Sequence, residues 1–264
     1  MPIDKEFCPR GLILDMDGVL YRGGRPLPGL LEFFDLAGSR PFVLLTNNST
    51  VSVPDLEAKL AGMGVRVPPA AILTVSDATG RYLAETYPFG SRALVLGGSA
   101  LGEAVTKAGM TLVARGADVV VVGLDAALTY EKLAEAVRSL SAGAGFVATS
   151  FDCVLLTEQG IAPATGAIVA AIRACVDAAP VCVGKPSASM FHLALSRLGL
   201  GGEETLVVGD NLESDIAGGK AVRARTALLL SGVSAPSVQD GLGPDMVLGG
   251  LSELTVYLSK VWEE

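Results

Sequence analysis

A single histidine, His192, in a chain of 264 residues excludes several chemistries at once. Sites that hold zinc or iron through two or three imidazoles cannot be built within such a chain. A Ser-His-Asp triad would have to pass through His192, and no Gly-x-Ser-x-Gly elbow accompanies it. The run Ser189-Met190-Phe191-His192-Leu193-Ala194-Leu195 reads instead as an ordinary helix. The four cysteines, Cys8, Cys153, Cys175 and Cys182, show no CxxC or zinc-type spacing, so reduced and mostly buried thiols are expected. Catalysis must rest on Asp, Lys, Ser, Thr or a metal.

Other absences narrow the class further. Basic residues are outnumbered, 20 Lys and Arg against 28 Asp and Glu, and the net charge of −8 opposes long-range attraction to nucleic acid or an anionic membrane. Any anionic substrate must be neutralised locally. Membrane-length apolar runs are missing, because Asp118, Asp125 and Arg173 interrupt the most apolar regions. The first ten residues lack the apolar stretch of a signal peptide, so a cytoplasmic protein is expected. Aromatics are only 5% of the residues while half are apolar, a balance that suits close-packed helices on a parallel sheet.

The chain can be arranged around residues 11 to 20, Gly-Leu-Ile-Leu-Asp-Met-Asp-Gly-Val-Leu. Leu12 to Leu14 read as a buried strand that stops where two acids appear one residue apart, Asp15 and Asp17. In open α/β sheets ligands bind at the carboxyl ends of the strands. Gly18 permits the close turn a ligand needs. Two carboxylates this close repel, so a bound cation or a shared proton is expected. A surface turn with solvated acids is the competing reading of this stretch alone.

The same design recurs downstream. A strand from Pro41 to Thr46 ends in Thr46-Asn47-Asn48-Ser49-Thr50, just before a helical pattern from Pro54 to Met63. Hydroxyls, amides and backbone N–H groups collected there suit an anion, with simple N-capping by Thr50 or Ser52 as the alternative. Val181 to Pro186 reads as a strand ending at Lys185, and Thr205 to Asp210 as a strand ending in an acid, with Asp215 soon after. All four ends are expected on one edge of a doubly wound, Rossmann-like parallel α/β sheet. A second α/β rhythm runs from Ala93 to Val176, flanked by Pro88-Phe89-Gly90 and Asp177-Ala178-Ala179-Pro180 as hinges. The expected organisation is a core of residues 1–88 and 180–264 with a smaller α/β domain, 89–179, inserted into it.

Several carboxylates converging without His or thiolate ligands describe a hard-cation site, for which Mg²⁺ is the natural occupant. A lysine, a threonine and helix N-terminal amides add the fixed positive charge that phosphoryl transfer requires.

Taken in order, Asp15-Met16-Asp17-Gly18-Val19, Thr46-Asn47-Asn48-Ser49, Gly184-Lys185-Pro186 and Gly209-Asp210-x4-Asp215 resemble the four motifs of the haloacid dehalogenase superfamily. The resemblance runs nearly end to end and is best to the NagD-like, para-nitrophenyl-phosphatase branch. Val122-Gly123-Leu124-Asp125, Thr129-Tyr130-x-Lys132-Leu133 and Ser231-Gly232-Val233 support it. It implies a core with an inserted C2-type cap, and a Mg²⁺-dependent phosphatase of small phosphate monoesters. By resemblance Asp15 is the nucleophile that forms an aspartyl-phosphate. Asp17 is the acid and then the base. Thr46 and Asn47, with Asn48 beside them, face the phosphoryl oxygens, and Lys185 binds both the phosphoryl group and Asp15. Mg²⁺ is held by Asp15, the Asp17 carbonyl, Asp210 and, directly or through water, Asp215. A dehalogenase would not need Asp17, and a mutase typically carries its cap between the first two motifs.

The chain departs from the family pattern in places. Thr149-Ser150-Phe151-Asp152 and Pro163-Ala164-Thr165-Gly166 stand where Thr-Asn-x-Asp and Pro-Gly-x-Gly are common, and Asn211 and Ser214 replace a usual Arg and Thr. These changes leave the substrate open among glycerol phosphate, phosphoglycolate, a nucleotide, a sugar phosphate and pyridoxal phosphate. Asp152 is expected either to contact it or to lie in a solvated loop. The insertion is expected to set specificity while the core supplies the chemistry. The expected partner is a small phosphorylated metabolite, with a homodimer allowed and neither nucleic acid nor membrane involved. A non-catalytic phosphometabolite sensor on the same fold is the alternative, opposed by the intact Asp15, Asp17, Lys185 and Asp210.

Overall fold

In a computed structural model, which describes residues 7–38, 40–157, 160–231 and 243–262, the apolar run after Arg10 forms the strand Gly11–Asp15. It lies inside a six-stranded sheet ordered Met246–Leu248, Arg225–Leu229, Thr205–Gly209, Gly11–Asp15, Phe42–Thr46, Ile72–Thr74. The first five of these strands pair in parallel, with Leu14 opposite both Val208 and Leu44. Leu12, Ile13 and Leu14 are all buried, as a strand covered on both faces requires. On the faces, the helix Leu30–Ala37 packs against Leu251–Trp262, and Ala188–Leu198 lies against the strand Phe42–Thr46. Burying a side chain such as Phe33 or Phe191 contributes about 1.5–3 kcal/mol.

The chain divides into two compact units, one of residues 1–46, 53–73 and 185–264, the other of 47–52 and 74–184. The second unit has its own parallel sheet, ordered Val181–Cys182, Gly145–Ala148, Val119–Val122, Arg92–Leu96, Thr111–Leu112. Its core gathers Leu94, Leu96, Val120, Val122, Phe146 and Ile168. An antiparallel ribbon, Val154–Thr157 with Gly160–Pro163, completes it.

Two features differ from the sequence reading. The strand read as carrying Lys185 does not join the six-stranded sheet: Val181 and Cys182 pair with Val147 and Ala148 in the second unit. Lys185 follows that strand and begins a new segment of the first unit. The second unit is also wider than residues 89–179, because the helix Val75–Thr86 packs on Ser99–Lys107, where a Cβ on Gly80 would stand 2.8 Å from the Ala104 carbonyl oxygen. That helix begins where Thr74 Oγ1 accepts the Asp77 N–H at 3.1 Å. The thiols correct a further expectation. Cys8, Cys153 and Cys175 are exposed and Cys182 is half-buried, since only Cys182 lies in a sheet. No helix among the described residues is long and apolar enough to cross a membrane.

Candidate active site

Asp15 is the last residue of its strand, and the parallel register brings Thr46 and Asp210 out at the same edge. Lys185 reaches this edge from its own segment. Its Nζ donates to Asp15 Oδ1 at 2.6 Å and to Asp215 Oδ1 at 2.7 Å. Lys185 is only 4% exposed, so these two carboxylates offset much of the cost of burying its ammonium. Burial alone would lower its pKa, but Asp15 and Asp215 outweigh that and raise it.

Asp215 does not come from a strand. After Asp210 the chain enters a single π-type turn, Leu212–Ile216, and Asn211 caps it by accepting the Glu213 and Ser214 N–H groups on Oδ1 at 2.8 and 3.2 Å. The turn folds Asp215 back, so that its Oδ2 accepts the Asn211 N–H at 3.2 Å. Burial raises the Asp215 pKa, and the charges of Asp15 and Asp210 add to that against the pull of Lys185. Asp15, Asp210 and Asp215 offer oxygen atoms within 4.8 Å of one another. Three hard oxygen donors in one partly buried cluster, without imidazole or thiolate, fit a divalent cation of the Mg²⁺ kind.

Asp17 lies in the loop after the strand and faces solvent. Crowding of the atoms around its carboxyl nevertheless raises its pKa; Lys59 draws it down and Asp15 pushes it up. The loop is closed by the Gly18 N–H donating to the Tyr21 carbonyl at 2.8 Å and by Ser231 Oγ donating to the Gly18 carbonyl at 2.9 Å. The Arg22 guanidinium holds the Ser231 carbonyl in turn. Gly232 and Val233, the rest of that sequence phrase, lie outside the described residues.

Sequence reasoning did not single out Lys59. From the helix Val53–Gly62 its ammonium lies 3.7 Å from the centroid of the buried Tyr21 ring. Nothing in the motif spacing marks it, because its neighbours come from a loop almost forty residues earlier. Thr46 is buried at its strand end. Asn47 and Asn48 begin the segment that belongs to the second unit, and Asn48 Oδ1 accepts the Thr50 N–H and hydroxyl at 2.9 and 2.7 Å. Asp152, also in the second unit, is exposed, and its N–H donates to Ser150 Oγ at 2.9 Å.

Two family models match the chain: a haloacid dehalogenase-like hydrolase over residues 12–111, and a related hydrolase model of the same group over 182–254. The acid sugar phosphatase of Staphylococcus aureus is 35% identical over 228 residues, 85% of this chain and 88% of its own. The structure of p-nitrophenyl phosphatase from Archaeoglobus fulgidus matches with a TM-score of 0.88 at 32% identity, over 94% of this chain and 99% of the other. NagD from Escherichia coli K-12 matches with a TM-score of 0.84 at 33% identity, over 93% and 98%.

Proposed function

This chain belongs to the haloacid dehalogenase superfamily of hydrolases, in its NagD-like phosphatase branch, and on that footing we propose that it hydrolyses small phosphate monoesters through an aspartyl-phosphate on Asp15, with Mg²⁺ as cofactor. The observation that carries this reading is the Lys185 ammonium bridging Asp15 and Asp215 beside Asp210. A lysine bound to Asp15 Oδ1 fixes the rotation of that carboxylate and leaves Oδ2 to attack phosphorus.

In the first step a bond forms between the Asp15 carboxylate and phosphorus while the bond to the leaving oxygen breaks. The protonated Asp17 carboxyl gives its proton to that oxygen, a role its raised pKa assists. In the second step water attacks the acyl phosphate, Asp17 takes the proton from the water, and phosphate leaves Asp15. Thr46 and the Asn47 N–H donate to the phosphoryl oxygens, and the Lys185 ammonium balances their charge. Asp15, the Asp17 carbonyl and Asp210 would hold the cation. Asp215, whose two oxygens already accept from Lys185 and Asn211, suits contact through water. Bound there, Mg²⁺ supplies charge neutralisation between the nucleophile and a phosphate dianion.

The insertion, with Asp152, is the cap that recognises the group attached to the phosphate, so the substrates are small metabolites rather than phosphoproteins or nucleic acid. A panel of phosphorylated metabolites, read by phosphate release, tests the reading. Sugar phosphates and glycerol phosphate should stand among the turned-over compounds, and release from none of them, nor from para-nitrophenyl phosphate, would reject it.

A further inference from the structure

The segment Asn47–Ser52 follows directly on Thr46, yet it is built into the second unit. The buried hydroxyl of Ser49, a residue only 2% exposed, accepts the Leu124 N–H at 3.1 Å. The Ser49 carbonyl accepts the buried Ser76 hydroxyl at 3.3 Å. Room for this approach exists because residue 123 has no side chain: a Cβ on Gly123 would stand 2.8 Å from Ser49 Oγ. The donor side is itself held rigid. Lys132 Nζ lies 2.7 Å from Asp125 Oδ2 and 3.1 Å from the Ala127 carbonyl, and Asp125 Oδ1 accepts the Ala127 N–H at 2.9 Å. The turn that follows the Leu124 amide is thus pinned through both carboxylate oxygens of Asp125.

We infer that Ser49 is a positioning residue, through which the insertion holds the phosphate-binding segment Thr46–Asn48 in its working shape. The inference rests on the proposed role of Thr46 and Asn47 at the phosphoryl group. The hydroxyl is engaged with the Leu124 amide and acts through the backbone it holds. It fixes the backbone two residues on from the Asn47 N–H, and a donor works as a phosphate clamp only if its direction is set before the ligand arrives. With alanine at 49 the Leu124 amide loses this acceptor, and the segment loses a side-chain tie that reaches the turn at Asp125. The sequence expectation that the core alone supplies the chemistry changes accordingly. A chain with residues 89–179 replaced by a linker keeps Thr46 but has lost Leu124, Gly123 and the Lys132–Asp125 pair.

The test uses the full chain with Mg²⁺ and compares wild type, Ser49→Ala, Ser49→Thr and Lys132→Gln. Inorganic phosphate binding is read by calorimetry, turnover with para-nitrophenyl phosphate, and amide exchange by mass spectrometry. Ser49→Ala should raise the phosphate Kd and the KM together by about five- to tenfold, leaving kcat within about twofold. Exchange should quicken at Leu124 and across residues 47–52, while the strand Gly11–Asp15 stays protected. Ser49→Thr, which keeps the hydroxyl, should restore both readouts. Lys132→Gln, at a partly exposed site that tolerates change, should move them the same way by less. Unchanged phosphate affinity together with unchanged exchange at Leu124 in Ser49→Ala would overturn the inference, as would a loss confined to kcat. A wild type that binds phosphate yet turns nothing over would reject the phosphatase reading alone, because affinity and exchange still report on Ser49.

Discussion

A Cβ placed on Gly18 would lie 2.3 Å from Oδ2 of Asp210, and Gly18 itself adopts a φ of +87°. The first and fourth motifs of the sequence therefore approach each other at a position that strongly favours glycine. The backbone turn that follows the nucleophile and the side chain that offers oxygen to a cation are built against one another.

Gly18→Ala should consequently damage the metal site rather than the fold. The positive φ costs about 1–3 kcal/mol for a residue with a side chain, and the Asp210 carboxylate must swing away as well. The expected outcome is a much higher Mg²⁺ concentration for half-maximal activity with a nearly native circular dichroism spectrum. A wild-type Mg²⁺ titration curve would contradict the contact.

Removal of the cation should abolish activity. Hydrolysis of para-nitrophenyl phosphate is expected to vanish with a chelator and to return with excess Mg²⁺, because the acidic cluster cannot otherwise receive a dianion. Full activity in excess chelator would refute the cofactor assignment.

Asp15→Asn keeps the shape and removes the attacking charge, so kcat should fall by about a thousandfold or more. Turnover within a few-fold of wild type would exclude Asp15 as the nucleophile. Asp17→Asn should slow para-nitrophenyl phosphate, whose leaving group needs little protonation, less than an alkyl phosphate.

Lys185→Met should lower stability most in the absence of metal. It leaves the half-buried carboxylate of Asp15 and the buried one of Asp215 without this cation, a loss on the order of 3–5 kcal/mol. Thermal melts should show a reduced Tm in chelator and partial recovery with Mg²⁺, which replaces the missing positive charge. Equal melts for the two proteins in chelator would show that the bridge contributes nothing to folding.

The thiols should separate by pH. Burial pushes the Cys182 thiol up to about 11, with hydrogen bonding to the Gly184 backbone opposing it and the nearby Asp152 charge adding to it. A raised folded-state value favours the neutral thiol, so its contribution to stability is complete below the ordinary thiol pKa and is lost as pH rises through about 11. At pH 8 to 9, iodoacetamide should therefore modify the exposed Cys8, Cys153 and Cys175 well before Cys182. Peptide mapping that finds Cys182 alkylated first would contradict its burial.

The sequence by itself determined the ingredients: the strand that ends at Asp15, the polar stop at Thr46, the strand before Asp210, and the absence of any imidazole or thiol set that could replace a carboxylate site. These are local properties, because an apolar run closed by acids signals its own strand end and its own chemistry. Only the tertiary structure decided where the run at Val181 and Cys182 pairs, since its pattern is satisfied equally by either sheet and the choice depends on the exposed edge offered by Gly145–Ala148. The same holds for Asp215, whose link to Lys185 requires a turn that the spacing of residues 210–215 permits but does not demand. Ser49 looks in sequence like any hydroxyl ahead of a helix. Its partner is 75 residues away, and a hydrogen-bond acceptor carries no sign in the sequence of which donor will reach it.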